Sequence, residues 1–104
     1  MKRRAASEFP ALERVFSGYL HEDFAAEYGS PDAALRAFRD DASPAEWRLF
    51  QREVKRFAAI ANDGDFEHVR RLIHRLGSRW TPPSREALLT LLTGVADLKR
   101  SDRR

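Results

Sequence analysis

The sequence predicts an all-α fold, a single compact domain of about five helices, and three observations carry that expectation. Apolar residues recur at helical spacing, as at Leu12, Val15, Phe16, Tyr19 and Leu20, which share one face through steps of three and four. Helix-start signals stand just ahead of such runs, at Ser30-Pro31, Ser43-Pro44-Ala45-Glu46, Asp65 and Ser84. No run alternates apolar and polar residues between turn signals, so no strand is expected.

Each element follows from its own residues. Ser7 as cap and Pro10 in the first turn open a helix carrying the Leu12 to Leu20 face. Residues 21–29 lose the helical period, leave room for one extra turn near 22–28, and exit at Gly29. Ser30 caps the next helix, with Pro31 at its first position, Asp32 at the positive end of its dipole, and Ala34, Leu35 and Phe38 as its buried stripe. Ser43 and Glu46 form a capping box for a long central helix over about 44–62, buried through Trp47, Phe50, Val54, Phe57, Ala58 and Ala61. Arg48, Arg52, Lys55 and Arg56 fall mostly off that stripe. Asp65 then caps a helix with Phe66, Val69, Leu72, Ile73 and Leu76 inward, which Gly77 ends. Trp80-Thr81-Pro82-Pro83 must run extended, with Trp80 as a plug, before Ser84 opens a last helix on Leu88, Leu91, Leu92 and Val95, widened by Leu89 and Leu98. The ends, residues 1–7 and 99–104, are expected to fray.

A chain of 104 residues holds one core, because at that length roughly two-thirds of the unfolded surface is buried and two separate cores could not be filled. Hydrophobic residues make up 42% of it, with seven Phe, two Trp and two Tyr, which places it among globular chains. There is no cysteine, so disulfides, thiolate nucleophiles and cysteine-based zinc sites are all excluded. Met1-Lys2-Arg3-Arg4 begins like a signal peptide, but Glu8, Pro10, Glu13 and Arg14 interrupt any apolar run behind it, and the expected location is the cytoplasm. No stretch approaches the roughly 18 apolar residues that a membrane span needs.

The formal net charge is only +3, and its distribution is more telling than its sum. Residues 20–46 set Arg36 and Arg39 against Glu22, Asp23, Glu27, Asp32, Asp40, Asp41 and Glu46, a net of −5 inside an otherwise basic chain. Catalytic constellations are not apparent. His21-Glu22-Asp23 are consecutive, so on a helix they point about 100° apart and do not converge on a metal. His68 and His74 stand on different faces of one helix, and Ser7, Ser30, Ser43 and Ser84 are all explained as caps. The glycines are scattered and form no phosphate loop, and the Asp40-Asp41 pair sits at a helix end where exposure is the default. No cofactor, metal or catalytic residue is assigned, and the chain reads as a non-enzyme. Arg70, Arg71, Arg75 and Arg79 with His74 form the alternative functional signal, a basic 70–79 face for nucleic acid; against it, that helix has none of the Asn, Gln, Ser or Thr residues that read base edges. Tyr19 fits a core position by its spacing, whereas Phe24 and Tyr28, four apart, fit either the core or a partner's surface.

The segment from Gly18 to Phe38, GYLHEDFAAEYGSPDAALRAF, is too irregular to be explained by helix building alone. Its blocks Tyr19-Leu20-His21-Glu22-Asp23-Phe24 and Glu27-Tyr28-Gly29-Ser30-Pro31, with Phe9-Pro10-Ala11-Leu12 before and Ala42-Ser43-Pro44 after, resemble the helical immunity proteins of bacterial contact-dependent growth inhibition systems. The likeness covers roughly Phe9 to Ala58 and thins afterwards: those proteins often have a Gly-Cys step where this chain reads Gly77-Ser78-Arg79-Trp80. The resemblance implies a cytoplasmic protein that binds and blocks the C-terminal toxin domain of a cognate effector, often a nuclease. It gives the acidic segment a role, with His21, Glu22, Asp23, Glu27, Tyr28, Asp32, Asp40 and Asp41 as the expected partner-binding residues. The other arrangement it allows puts the toxin-specific surface in the second half, including the basic 70–79 face.

Overall fold

A computed structural model describes residues 8–97, and over these the chain forms six helices and no strand. They are α1 (Pro10–Gly18), α2 (Phe24–Tyr28), α3 (Pro31–Asp41), α4 (Pro44–Asp63), α5 (Phe66–Arg75) and α6 (Arg85–Ala96). The five expected helices are present, and the extra turn near 22–28 is α2. Ser7, Leu98 and the ends expected to fray lie outside the described residues.

The caps account for the boundaries. The Ser30, Asp65 and Ser84 side chains each accept a hydrogen bond from the backbone amide three residues on, at 3.1, 2.8 and 3.0 Å. At Ser43 both halves of the capping box are made: Glu46 N–H donates to the Ser43 hydroxyl and Ser43 N–H donates to the Glu46 carboxylate, each at 3.1 Å.

The start of α1 corrects the sequence reading. Its N-cap is Phe9, which has no side-chain cap, and not Ser7. The orphan amides are satisfied from across the fold: Ala11 N–H and Leu12 N–H donate to the carboxylate of Glu53 at 3.1 and 2.9 Å. Glu53 is fully buried on the inner face of α4, where periodicity alone would place an apolar residue. A carboxylate there is favoured because it answers two backbone donors at the positive end of a helix dipole. One turn further along α4, the Arg56 guanidinium donates to Glu8 O at 2.8 Å and lies 4.9 Å from the Phe9 ring centroid. The opening of α1 is thus clamped by α4.

The same helix organises the rest. It packs against α1 on one side and α6 on the other, α3 meets α6, and α2 rests on α3. Phe16, Phe38, Phe50, Phe57, Leu12, Leu35, Ile73, Leu88 and Leu92 lie fully inside, with Trp47 stacked on Phe50 at 5.1 Å and Phe9 edge-on to Phe57 at 5.8 Å. Ala58 and Leu91, expected inward, are half-buried. Polar ties join the helix ends: Gln51 donates to Ala96 O at 2.8 Å, and Arg85 donates to Ala61 O and Gly64 O at the end of α4.

Gly77 ends α5 at φ 110, and a side chain there would also fail on space, since a Cβ would come within 2.6 Å of Ser17 Cβ. That close approach lets Arg79 N–H donate to Leu20 O at 2.9 Å, fastening the 77–80 loop to the end of α1. Ser78 is buried and folds back on Trp80, accepting from its amide and donating to its carbonyl at 3.1 and 2.8 Å. Trp80 is half-buried against the core, in the position expected of a plug.

Candidate partner-binding face

The irregular segment is built on a helix too short to hold itself. α2 has five residues and none is fully buried; it is opened by Phe24 N–H donating to His21 O and closed by Gly29 at φ 93. What fixes it is a small aromatic and polar cluster against α1 and α3. Tyr19 leaves α1 just past its last residue, so its ring turns toward α3, edge-on to Phe38 at 5.6 Å and stacked with Tyr28 at 5.9 Å. Its hydroxyl donates to the Asp41 carboxylate at 2.7 Å. His21 extends the cluster, its ring centroid 6.3 Å from that of Tyr28.

The His21 ring is held at both nitrogens. Nδ1 accepts from the Asp23 amide at 3.0 Å, so in the neutral ring the proton sits on Nε2, which faces the Glu27 carboxylate at 3.0 Å. Both partners of the His21 ring thus come from the segment that carries it, Asp23 and Glu27. Both tyrosines are shifted by their surroundings. Tyr19 is pushed up to about 12, first by burial and then by its hydrogen bond and charge contact with Asp41. Tyr28 is also raised, by burial and then by Glu27 and Asp41. Both hydroxyls stay protonated at neutral pH and remain donors beside carboxylates.

The eight residues expected from the sequence therefore divide. His21, Glu27, Tyr28 and Asp41 converge on one cluster. Glu22 and Asp23 sit at its edge, exposed and without an ion pair among the described residues. Asp32 and Asp40 are drawn elsewhere on α3, to Arg36 at 2.8 Å and Arg39 at 3.2 Å. Glu46 is likewise held by Arg14 at 3.0 Å as well as by its capping box. The −5 of residues 20–46 is thus concentrated: the carboxylates without an arginine partner among the described residues are Glu22, Asp23 and Glu27, in and just before α2, and Asp41 at the end of α3. Tyr19, read from its spacing as core, is half-buried and supplies the centre of the cluster; the signal that could have found it is a tyrosine just past Gly18, where a hydroxyl needs a wet edge.

The basic face behaves differently. Arg70 is paired with Glu67 and lies over the Phe66 ring at 5.9 Å, the local pairing that a solvated helix face provides. Arg71, Arg75 and Arg79 are exposed and hold no ion pair among the described residues, and His74 meets Thr81 at 3.2 Å. No helix among the described residues is long and apolar enough to cross a membrane.

Comparison with known proteins agrees with the resemblance carried by the irregular segment and extends it into the second half. The model of one protein family, CdiI immunity protein, matches residues 8–97, which spans α1 to α6. No curated protein and no solved structure matches. A match over most of the chain, on an all-helical single domain, shows that the chain belongs to the CdiI immunity protein family, whose function is immunity to a contact-dependent growth inhibition toxin.

Proposed function

We propose that this chain binds and neutralises the C-terminal toxin domain of its cognate contact-dependent growth inhibition effector, that the toxin is a nuclease, and that the face around α2 makes the contact. The observation that carries the reading is the uncompensated acidity of Glu22 and Asp23 beside the Tyr19, His21, Glu27, Tyr28 and Asp41 cluster. A nuclease cleft is cationic because it holds phosphates, and an exposed acidic surface competes for it while raising the association rate. The half-buried tyrosines add rigid area with donor hydroxyls, the side-chain type that anchors interfaces. Asp41, held by the neutral Tyr19 hydroxyl, adds its charge at the end of α3, while Asp32 and Asp40 reach a partner together with their paired Arg36 and Arg39. The chain acts by occupation, without cofactor or catalysis, in the cytoplasm where an incoming toxin is met.

Protection of this kind calls for nanomolar affinity or better, about −12 kcal/mol. Co-expression with the toxin domain encoded immediately upstream tests it: growth is restored and a complex co-purifies. Continued growth arrest and no complex reject the cognate-pair reading. The second reading is direct nucleic-acid binding by the 70–79 face, favoured by Arg71, Arg75 and Arg79, which are exposed and hold no ion pair among the described residues. It predicts binding of the chain alone to an oligonucleotide that weakens steeply as salt rises.

A further inference from the structure

The protein has a second surface whose polarity mirrors that of α2. Between α4 and α6 runs a groove of about 730 Å³. One wall carries Arg48, Arg52 and Lys55, spaced by four and three so that they line one side of α4, and Val54, Ala58 and Ala96 supply apolar lining. None of the three cations has an ion pair among the described residues. A row of like charges at this spacing is mildly unfavourable by itself, and an anionic occupant reverses the sign of that contribution.

The occupant can be narrowed by chemistry. The segments adjoining the described residues carry the wrong sign: residues 1–7 contain Lys2, Arg3 and Arg4, and residues 98–104 contain Lys99, Arg100, Arg103 and Arg104 against Asp102. A nucleic-acid strand would find no aromatic side chain in the groove on which to stack its bases. The α2 segment matches in both respects. Glu22, Asp23 and Glu27 are exposed carboxylates, and between them Ala25 and Ala26 are exposed small apolar residues that permit close approach. A narrow apolar strip edged by acid faces a groove whose alanines and Val54 give it an apolar part and whose three cations outnumber its one carboxylate, Asp97.

We propose that the groove receives the α2 segment of a second copy of this chain, so that the free protein self-associates through complementary charge. Two copies that exchange α2 reciprocally close as a dimer, and a one-way contact extends into chains. Because α2 is also the face assigned to the toxin, the cognate partner would dissociate the assembly; that consequence, unlike the self-association, rests on the reading above.

The test is sedimentation and light scattering of the full chain from low micromolar to millimolar concentration. The expected result is concentration-dependent association where the screening length is about 30 Å, at 0.01 M salt, and monomer where it is about 3 Å, at 1 M. Arg48→Glu with Arg52→Glu, and separately Glu22→Lys with Asp23→Lys, each weaken association tenfold or more, and an equimolar mixture of the two variants restores it. Arg48→Gln with Arg52→Gln repeats the loss without introducing new charge, and helicity and melting temperature verify that each variant folds. Monomer at every concentration in low salt overturns the proposal. So does association that survives the groove variants, or a mixture that stays monomeric. Oligonucleotide binding lost in the groove variants, with no self-association, overturns it in favour of a phosphate backbone. The groove variants still protect against the toxin, so failure here is separable from failure of the acidic-face reading.

Discussion

Glu53 on α4 and Glu27 on α2 are the same residue type put to opposite uses. Glu53 is fully buried and its two oxygens are consumed by the amides that open α1. Glu27 is exposed, meets the rings of His21 and Tyr28 at the surface, and stands on a helix with no buried residue. The first carboxylate joins two helices that are 41 and 42 positions apart in the chain at these contacts. The second leaves its charge available to solvent or a partner. The difference teaches that acidity in this protein is not one feature: α4 uses it to build the fold, while α2 displays it on a segment that the fold only loosely needs.

The comparison breaks most sharply at Glu53. Glu53→Ala leaves two buried amides without an acceptor, each worth about 1–3 kcal/mol, so a loss of about 3 kcal/mol is expected. In a domain of this size that lowers the melting temperature by roughly 10–20 °C. Thermal unfolding followed by circular dichroism measures it, and a shift no larger than that of a surface variant would remove Glu53 from its capping role. Gly77→Ala comes next, because it forces a residue with Cβ into a left-handed conformation and against Ser17. We expect about 2 kcal/mol of destabilisation, read from a denaturant midpoint. Gly94→Ala, with open space around its Cβ position, serves as the contrasting helical site and should be neutral or slightly stabilising.

Most of the fold was legible because its signals are local. The Ser30, Ser43, Asp65 and Ser84 caps, the stripes of α3 and α4, and the stop at Gly77 depend on neighbours within one or two turns. The start of α1 was not legible, since its cap comes from a glutamate on another helix that a periodicity count sees as an exception. The candidate site was readable in composition but not in geometry. Charge counting found the acidic segment; it could not find that Arg36, Arg39 and Arg14 neutralise Asp32, Asp40 and Glu46, or that Tyr19 leaves the helix in time to reach Asp41.

Smaller effects sharpen the contrast at the aromatic cluster. Tyr19→Phe removes a hydrogen bond at a half-exposed site and should cost no more than about 1 kcal/mol at neutral pH. Its pH signature is more specific. The Tyr19 hydroxyl is raised from 10.0 to about 12 in the folded protein, so its contribution is fully present below pH 10 and is lost as pH rises toward 12. The stability gap between parent and Tyr19→Phe should therefore narrow across that window in alkaline melting curves. A gap that stays constant would mean the hydroxyl is not held by Asp41.

The central claim is that α2 displays charge for a partner while α4 holds the fold. The most direct test reverses Glu22, Asp23 and Glu27 together to Lys and measures, on the same sample, the melting temperature and the affinity for the cognate toxin domain by calorimetry. Glu22 and Asp23 hold no ion pair among the described residues, and Glu27 gives up only a surface contact with His21 worth about 0–1 kcal/mol, so melting should stay close to the parent while toxin binding is abolished. Parental affinity in the folded triple variant would contradict the account and move the interface off this face.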